Sequence, residues 1–302
     1  MADYRGVAQL VEHRSPKPRV VGSSPISPAK DIFRNIPENL FVIIRKMDKL
    51  DIAIQIVNYN TKRFIEPLVD SITKDLADSN INYKILILDN NSNDNLSDIQ
   101  KRWKLDKVKI YYSKTNNGFG AGHNALEEKT DASYILILNP DILIFEKHTI
   151  ERMLKVLKLY KAAVIGPALV TTNREIQSEI MISRTIRNTK AQNWDHGELG
   201  SKNIVQAAKF KKRDKLGEVG WVSGAVMLID HAVFKAAGGF DANFFLYYEE
   251  EDLCLRFRQK NYKIIYDPSV HIFHYGSVVA KKSKFFAKSL AYYIKKNGIS
   301  GL

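Results

Sequence analysis

Cysteine is almost absent from this chain: Cys254 is the only one in 302 residues. That excludes an internal disulfide and any metal site built from several thiolates, and it fits a reducing compartment such as the cytoplasm. Long apolar runs are missing as well. The longest candidates, such as Tyr134 to Leu138, have the length of a buried strand and fall far short of the ~18 to 20 residues that span a bilayer. Near the start there is no apolar stretch of the about 7 to 15 residues that a secretory signal requires. Acidic residues are scarce relative to basic ones, 33 against 46, for a formal charge of +13. Residues 1–46 hold a net +4 of this surplus, and residues 278–302, with six lysines and no acid, hold +6. The middle of the chain is nearly balanced, which argues against a nucleic-acid-binding core.

Residues 1–46 differ from the rest. Ser15-Pro16-Lys17-Pro18-Arg19 and Ser23-Ser24-Pro25-Ile26-Ser27-Pro28 are rich in proline and serine, and no apolar period is sustained. Such composition reads as a disordered leader. The stretch from Val7 to Pro16 also resembles the peptide obtained when a transfer-RNA gene is translated, and on that reading the working chain starts at Met47. The expected organisation is therefore a leader (1–46), one large domain (47–277) and a basic, aromatic C-terminal helix (278–302).

From Asp51 the pattern becomes regular. Ile52 to Val57, Tyr83 to Leu88, Val108 to Tyr112 and Tyr134 to Leu138 read as buried strands. Between them lie helical stretches, the first with Phe64, Leu68, Ile72 and Leu76 on one face. Strands alternating with helices specify an α/β fold, a mostly parallel sheet with helices on both faces. Ligands of such sheets sit beyond the carboxyl ends of the strands. Every unusual polar cluster here follows a strand: Asn58 to Thr61, Asp89 to Asn95, Asn117 to Asn124, and Asn139 to Asp141. Each alone is ordinary turn chemistry. Four at equivalent places predict one shared site of the kind that takes a nucleotide. The glycine run at 118–122 enters a helix, where free N–H groups favour an anion, but its spacing fits neither a phosphate loop nor a dinucleotide fingerprint.

Further on, Thr149 falls in a helix predicted over 147–160, and a strand is expected from Ala162 to Ile165, stopping before Gly166-Pro167. Residues 171–218 are polar, irregular and basic, a long loop or flap. Trp221 to Ile229 restores order, Asp230 is placed to cap a short helix, and Gly238-Gly239 to end it. Tyr247-Tyr248-Glu249-Glu250-Glu251-Asp252 then puts four consecutive carboxylates at the start of another helix. Such a run is tolerated where water, a cation or bound chemistry absorbs the charge. A strand from Lys263 to Tyr266 leads to Asp267-Pro268, His271 and His274.

Asn139-Pro140-Asp141, Gly238-Gly239-Phe240-Asp241 and Glu249-Glu250-Glu251-Asp252-Leu253-Cys254 together resemble the family 2 glycosyltransferases, and within them the rhamnosyltransferase-like branch. The resemblance runs from about Asp51 to Ser277 in the family's motif order. It implies a GT-A fold in a single catalytic domain, a nucleotide-diphosphate sugar donor, inversion at the anomeric carbon, and Mg2+ or Mn2+ as cofactor. Position by position, Val57 and Tyr59 fall where the end of the first strand packs around the nucleotide. Asp89 falls where a carboxylate pairs with the base, and Asn117, Gly118, Gly122 and Asn124 fall in the segment lining the donor. Asn139-Pro140-Asp141 stands for the family's Asp-x-Asp, which leaves Asp141 as the metal carboxylate. Glu250 occupies the place of the catalytic base, one methylene longer than the commoner Asp. The family's metal-binding histidine matches His274 better than His271.

The implied function is transfer of a sugar, rhamnose if the branch is a guide, to a glycan or lipid-linked acceptor in cell-surface polysaccharide synthesis. The enzyme would work in the cytoplasm or at the inner face of the membrane, with no nucleic acid partner. Lys281 to Lys296 reads either as a terminal helix packed on the domain or as an interfacial helix on an anionic leaflet. The alternatives are a nucleotidyltransferase, which wants a glycine-rich loop where this chain has Asn58-Tyr59-Asn60-Thr61-Lys62, and a non-catalytic protein that binds a nucleotide sugar or glycan on the same fold.

Overall fold

Ile52, Ile54 and Ile56 of the first strand pack on one side of the sheet with Ile65, Leu68 and Ile72, while Ala53 and Val57 pack on the other with Leu86, Leu88 and Leu126. The strand is thus covered on both faces, which is why it reads as an apolar run interrupted only by Gln55. The computed structural model describes residues 50–103, 107–170, 215–276 and 283–298. The leader (1–46), the Met47 start and most of the expected flap (171–214) lie outside the described residues.

Four strands form the parallel half of the sheet: β1 (Ile52–Asn58), β2 (Tyr83–Asp89), β3 (Val108–Tyr112) and β4 (Tyr134–Leu138), in the spatial order β3-β2-β1-β4. Helices α1 (Lys62–Asp75), α2 (Ser97–Arg102) and α3 (Phe119–Glu127) connect them. The remaining elements are β5 (Ile142–Leu143), α4 (Thr149–Tyr160), β6 (Ala162–Val170), β7 (Gly217–Glu218), β8 (Val226–Asp230), α5 (His231–Ala236), α6 (Glu249–Gln259), β9 (Lys263–His274) and α7 (Ser283–Asn297). Beyond β4 the order continues β8-β6-β9-β5, and the sheet becomes mixed. β8 runs antiparallel to both of its neighbours, whereas β6 and β9 are parallel to each other. The end of the expected flap is seen: Gly217–Glu218 pairs with β9.

Two strands outrun their expected ends. β6 continues through Gly166-Pro167, and β9 continues through Asp267-Pro268 to His274. The register jumps from Pro167↔Asp267 to Ala168↔His271, so residues 268–270 bulge out of the ladder. A proline is tolerated at such a bulge because no ladder N–H is required of it. Asp230 caps α5, its Oδ1 accepting from Val233 N at 3.1 Å, and Gly238 and Gly239 leave the helix at φ +80° and +68°.

Candidate active site

Because β1, β2, β3 and β4 are parallel, their carboxyl ends share one edge, and the polar clusters that follow them are joined by hydrogen bonds. Asn90 N donates to Asn58 O at 2.8 Å, and Asn58 Nδ2 donates to Ser92 Oγ at 3.1 Å. Asp89 Oδ1 accepts from Ser92 N at 3.0 Å and from its hydroxyl. Asn90 Nδ2 reaches the third cluster, donating to Asn116 Oδ1 at 2.9 Å and Gly118 O at 3.0 Å, while Asn117 N returns a bond to Asn90 Oδ1 at 3.3 Å. Asn90 and Asn116 were not singled out in the sequence. Their only signal there is membership of asparagine-rich turns, and the cross-links become visible once β2 and β3 are paired. Tyr59 and Asn117 remain exposed at this edge, where a ligand can meet them.

The glycine run fits α3 tightly into this frame. Gly118 has φ +89°, and a methyl group there would lie 2.2 Å from Phe245 O. Phe245 O also accepts from Phe119 N at 2.9 Å, so the first N–H of α3 is already taken by the protein. At Gly122 a methyl group would come within 3.0 Å of both Val57 methyls. Val57 and Gly122 therefore set the approach of α3 to β1. Asn124 spends both ends of its amide on one backbone, donating to Phe240 O at 2.8 Å and accepting from Phe240 N at 2.9 Å. It ties α3 to the Gly238-Gly239-Phe240 turn. His123, buried between Phe119 and Phe240, has its pKa lowered to about 3 by burial.

At the fourth cluster, β5 pairs antiparallel with β9 so that Ile142 faces His274. This brings His274 Nε2 to 3.5 Å from Asp141 Oδ1, and Tyr275 N donates to Asp141 O at 2.9 Å. Asp141 is 2% exposed, and its Oδ1 has no hydrogen-bond partner among the described residues. A buried carboxylate oxygen left without a donor beside an imidazole fits a hard divalent cation. Among the described residues no group of three or more metal-binding side chains occurs, so Asp141 and His274 would leave the remaining positions to diphosphate oxygens and water. His271 does not join them; its Nδ1 lies 3.0 Å from Glu146 Oε1.

The acidic run opens α6. Glu249 and Asp252 are buried, and Glu250 and Glu251 are half-buried. Burial and the neighbouring Glu250 charge hold Glu249 well above the usual carboxylate range and push Glu251 up to about 8. A methyl group on Gly224 would lie 3.5 Å from Glu250 Oε1 and 3.5 Å from the Phe119 ring. The next residue, Ala225, accepts through its carbonyl from Asn139 N at 2.9 Å. Glu250 Oε1 thus lies close to the Gly224-Ala225 turn, and that turn is bonded to the Asn139-Pro140-Asp141 segment. Burial pushes the Cys254 thiol up to about 12, which removes the one thiol as a nucleophile.

Comparison with known proteins gives a consistent answer. The family model described as glycosyl transferase family 2 matches residues 53–219. The rhamnosyltransferase WbbL of Escherichia coli K12 is 26% identical over 254 residues, 81% of this chain and 90% of that protein. The N-acetylglucosaminyl-diphospho-decaprenol L-rhamnosyltransferase of Mycobacterium tuberculosis is 24% identical over 208 residues, 63% of this chain and 66% of that protein. Among solved structures, that of GalNAc-T7 with UDP, GalNAc and Mn2+ superposes with a TM-score of 0.60 at 13% identity. It covers 82% of this chain, which in turn spans about half, 48%, of that longer one. At that identity the likeness is one of fold, and the fold is GT-A.

Proposed function

The chain belongs to glycosyl transferase family 2, and on that premise we propose that it moves a sugar from a nucleotide diphosphate to a lipid-linked or glycan acceptor with inversion, using Glu250 as base. The observation that carries this reading is the nearness of Glu250 to the Gly224-Ala225 turn, which is itself bonded to the segment that bears Asp141. It gives a half-buried carboxylate and a buried carboxylate–imidazole pair on one edge of the sheet.

In the transfer, the acceptor hydroxyl oxygen attacks the anomeric carbon from the face opposite the diphosphate. The new C–O bond forms as the bond to the diphosphate oxygen breaks, and Glu250 takes the hydroxyl proton. Asp141 and His274 would hold Mg2+ or Mn2+, and the cation would supply charge neutralisation at the departing diphosphate. Tyr59, Asp89, Asn117 and Gly118 would contact the nucleotide and sugar, and Asn139 would flank the diphosphate. Val57, Gly122 and Asn124 would act one step back, by fixing α3.

The names of the two bacterial relatives favour rhamnose as the sugar, and the mycobacterial one favours an acceptor carried on a lipid diphosphate. Among the described residues no helix is long and apolar enough to cross a membrane. Contact with a cytoplasmic leaflet would instead run through the exposed side of α7, where Phe286 and Lys288 lie, a lysine near anionic headgroups being favourable.

The test is a panel of dTDP-, UDP- and GDP-sugars with a lipid-diphosphate N-acetylglucosamine acceptor, each with Mn2+ or with EDTA, followed by nucleotide diphosphate release. Release from one donor that requires acceptor and metal supports the reading. Donor binding with no release in the presence of every acceptor tried favours the non-catalytic alternative, and no binding of any donor overturns the assignment of the site.

A further inference from the structure

Asp252 is fully buried in the first turn of α6, just after Glu249, Glu250 and Glu251. Its Oδ2 accepts from Arg256 Nε at 2.8 Å within the helix, and its Oδ1 lies 2.6 Å from Lys296 Nζ, near the end of α7. The same ammonium lies 2.7 Å from Asp241 Oδ2, which also accepts from the Tyr292 hydroxyl at 3.0 Å. Burial works to raise Asp241, but the bonds from Lys296 and Asn243 bring it down to about 2.

The segment between these two carboxylates is held along its length by α7. Phe285 stacks on Phe245 with ring centroids 4.5 Å apart, and Ser289 Oγ donates to Leu246 O at 2.8 Å. Tyr293 packs on Tyr248 at 5.3 Å and shares a buried cluster with Phe244 and Leu255. The segment needs holding, because Tyr247 and Tyr248 enter α6 at φ +72° and +70°. Non-glycine residues adopt that backbone rarely and at a cost, and two in succession persist only where the surroundings impose them. Phe245, between the clamped points, is also the residue whose carbonyl holds the start of α3.

We propose that Lys296 is a positioning residue for sugar transfer: by joining Asp241 to Asp252 it fixes the turn into α6 and so the aim of the Glu250 carboxylate. The proposal rests on Glu250 being the base. Neither α6 nor α7 falls within the stretch matched by the family model, which ends at residue 219. A long basic helix at the end of the chain thus becomes part of the site's framework, with one of its lysines turned inward to two carboxylates.

The experiment compares Lys296→Met, Lys296→Arg and, as control, Lys295→Met, whose lysine is exposed on the same helix. Displacing a catalytic group by about 1 Å costs on the order of 100-fold in rate. Lys296→Met is therefore expected to lower kcat by about 10- to 100-fold, with KM for the donor and nucleotide affinity little changed. Lys296→Arg, which can still bridge both carboxylates, should recover most of the loss, and Lys295→Met should behave as wild type. Hydrogen exchange on the same proteins should show faster exchange at residues 245–252 in Lys296→Met alone, with β1 unchanged. Unchanged kcat and unchanged exchange in Lys296→Met overturn the proposal, as does a loss of nucleotide affinity equal to the loss of kcat. Should wild type release no nucleotide diphosphate from any donor, the transferase reading fails separately, and the exchange at 245–252 still decides whether Lys296 fixes this turn.

Discussion

His274 Nε2 and Asp141 Oδ1 lie 3.5 Å apart in a buried position reached from two strands far apart in sequence. An imidazole and a carboxylate so close, with Asp141 Oδ1 lacking a hydrogen-bond donor among the described residues, are the pair proposed to hold the cation. Asp141→Asn and His274→Ala are each expected to lower metal-dependent turnover by at least about 100-fold, since a metal's charge is worth several kcal/mol at a phosphoryl leaving group. His271→Ala, whose ring faces Glu146, should leave metal dependence intact. Titration of Mn2+ in the presence of nucleotide diphosphate, followed by electron paramagnetic resonance, checks both. Retained Mn2+ affinity in Asp141→Asn would remove this pair as the site.

Gly118→Ala tests the fit between the donor-side helix and the segment that enters α6. A methyl group there meets the Phe245 carbonyl at 2.2 Å, on a backbone with φ +89°. Backbone on both sides leaves nothing flexible to yield, so the substitution should cost about 2 to 4 kcal/mol of stability and displace α3. Chemical denaturation measures the first effect and donor affinity the second.

The pH dependence of stability carries two opposite signatures. Glu251 binds its proton more tightly in the folded chain, with a pKa of about 8 against an ordinary 4.5. The folded state therefore holds more protons between these values, and this contribution is present at low pH and lost as pH rises through about 8. Glu249 acts in the same direction. His123 does the reverse: its folded pKa of about 3 lies below the ordinary 6.5, so its contribution is lost as pH falls from 6.5 toward 3. Denaturation from pH 5 to 8.5 should show the high-pH decline flatten in Glu251→Gln, while a curve identical to wild type would contradict the shift assigned to Glu251.

Much of the parallel half of this fold is legible in the sequence, because Ile52 to Val57 and Tyr134 to Leu138 are apolar on both faces and the asparagine clusters that follow them mark strand ends. Those cues are local, and the features they miss are not. Pro167 and Pro268 look like strand ends, yet Pro167 stays in the ladder opposite Asp267 and Pro268 sits in the bulge that follows. The antiparallel entry of β8 depends on pairing with β4 and β6, which no local pattern encodes. At the site, the motif order points to Glu250, Asp141 and His274. It does not reveal that Asn124 is committed to Phe240, that Asn90 ties two turns together, or that Lys296 reaches Asp252. A lysine in a basic terminal helix resembles its exposed neighbours until its partners are known.

The central claim is that Glu250 takes the acceptor's proton, and the most direct measurement is the turnover of Glu250→Gln beside its donor affinity. Glutamine keeps the length and the polar end and removes the basicity. kcat is expected to fall about 100- to 10,000-fold, the usual worth of a general base, with donor binding and metal affinity close to wild type. Turnover within a few-fold of wild type would contradict it and move the proton acceptor elsewhere on the strand-end edge.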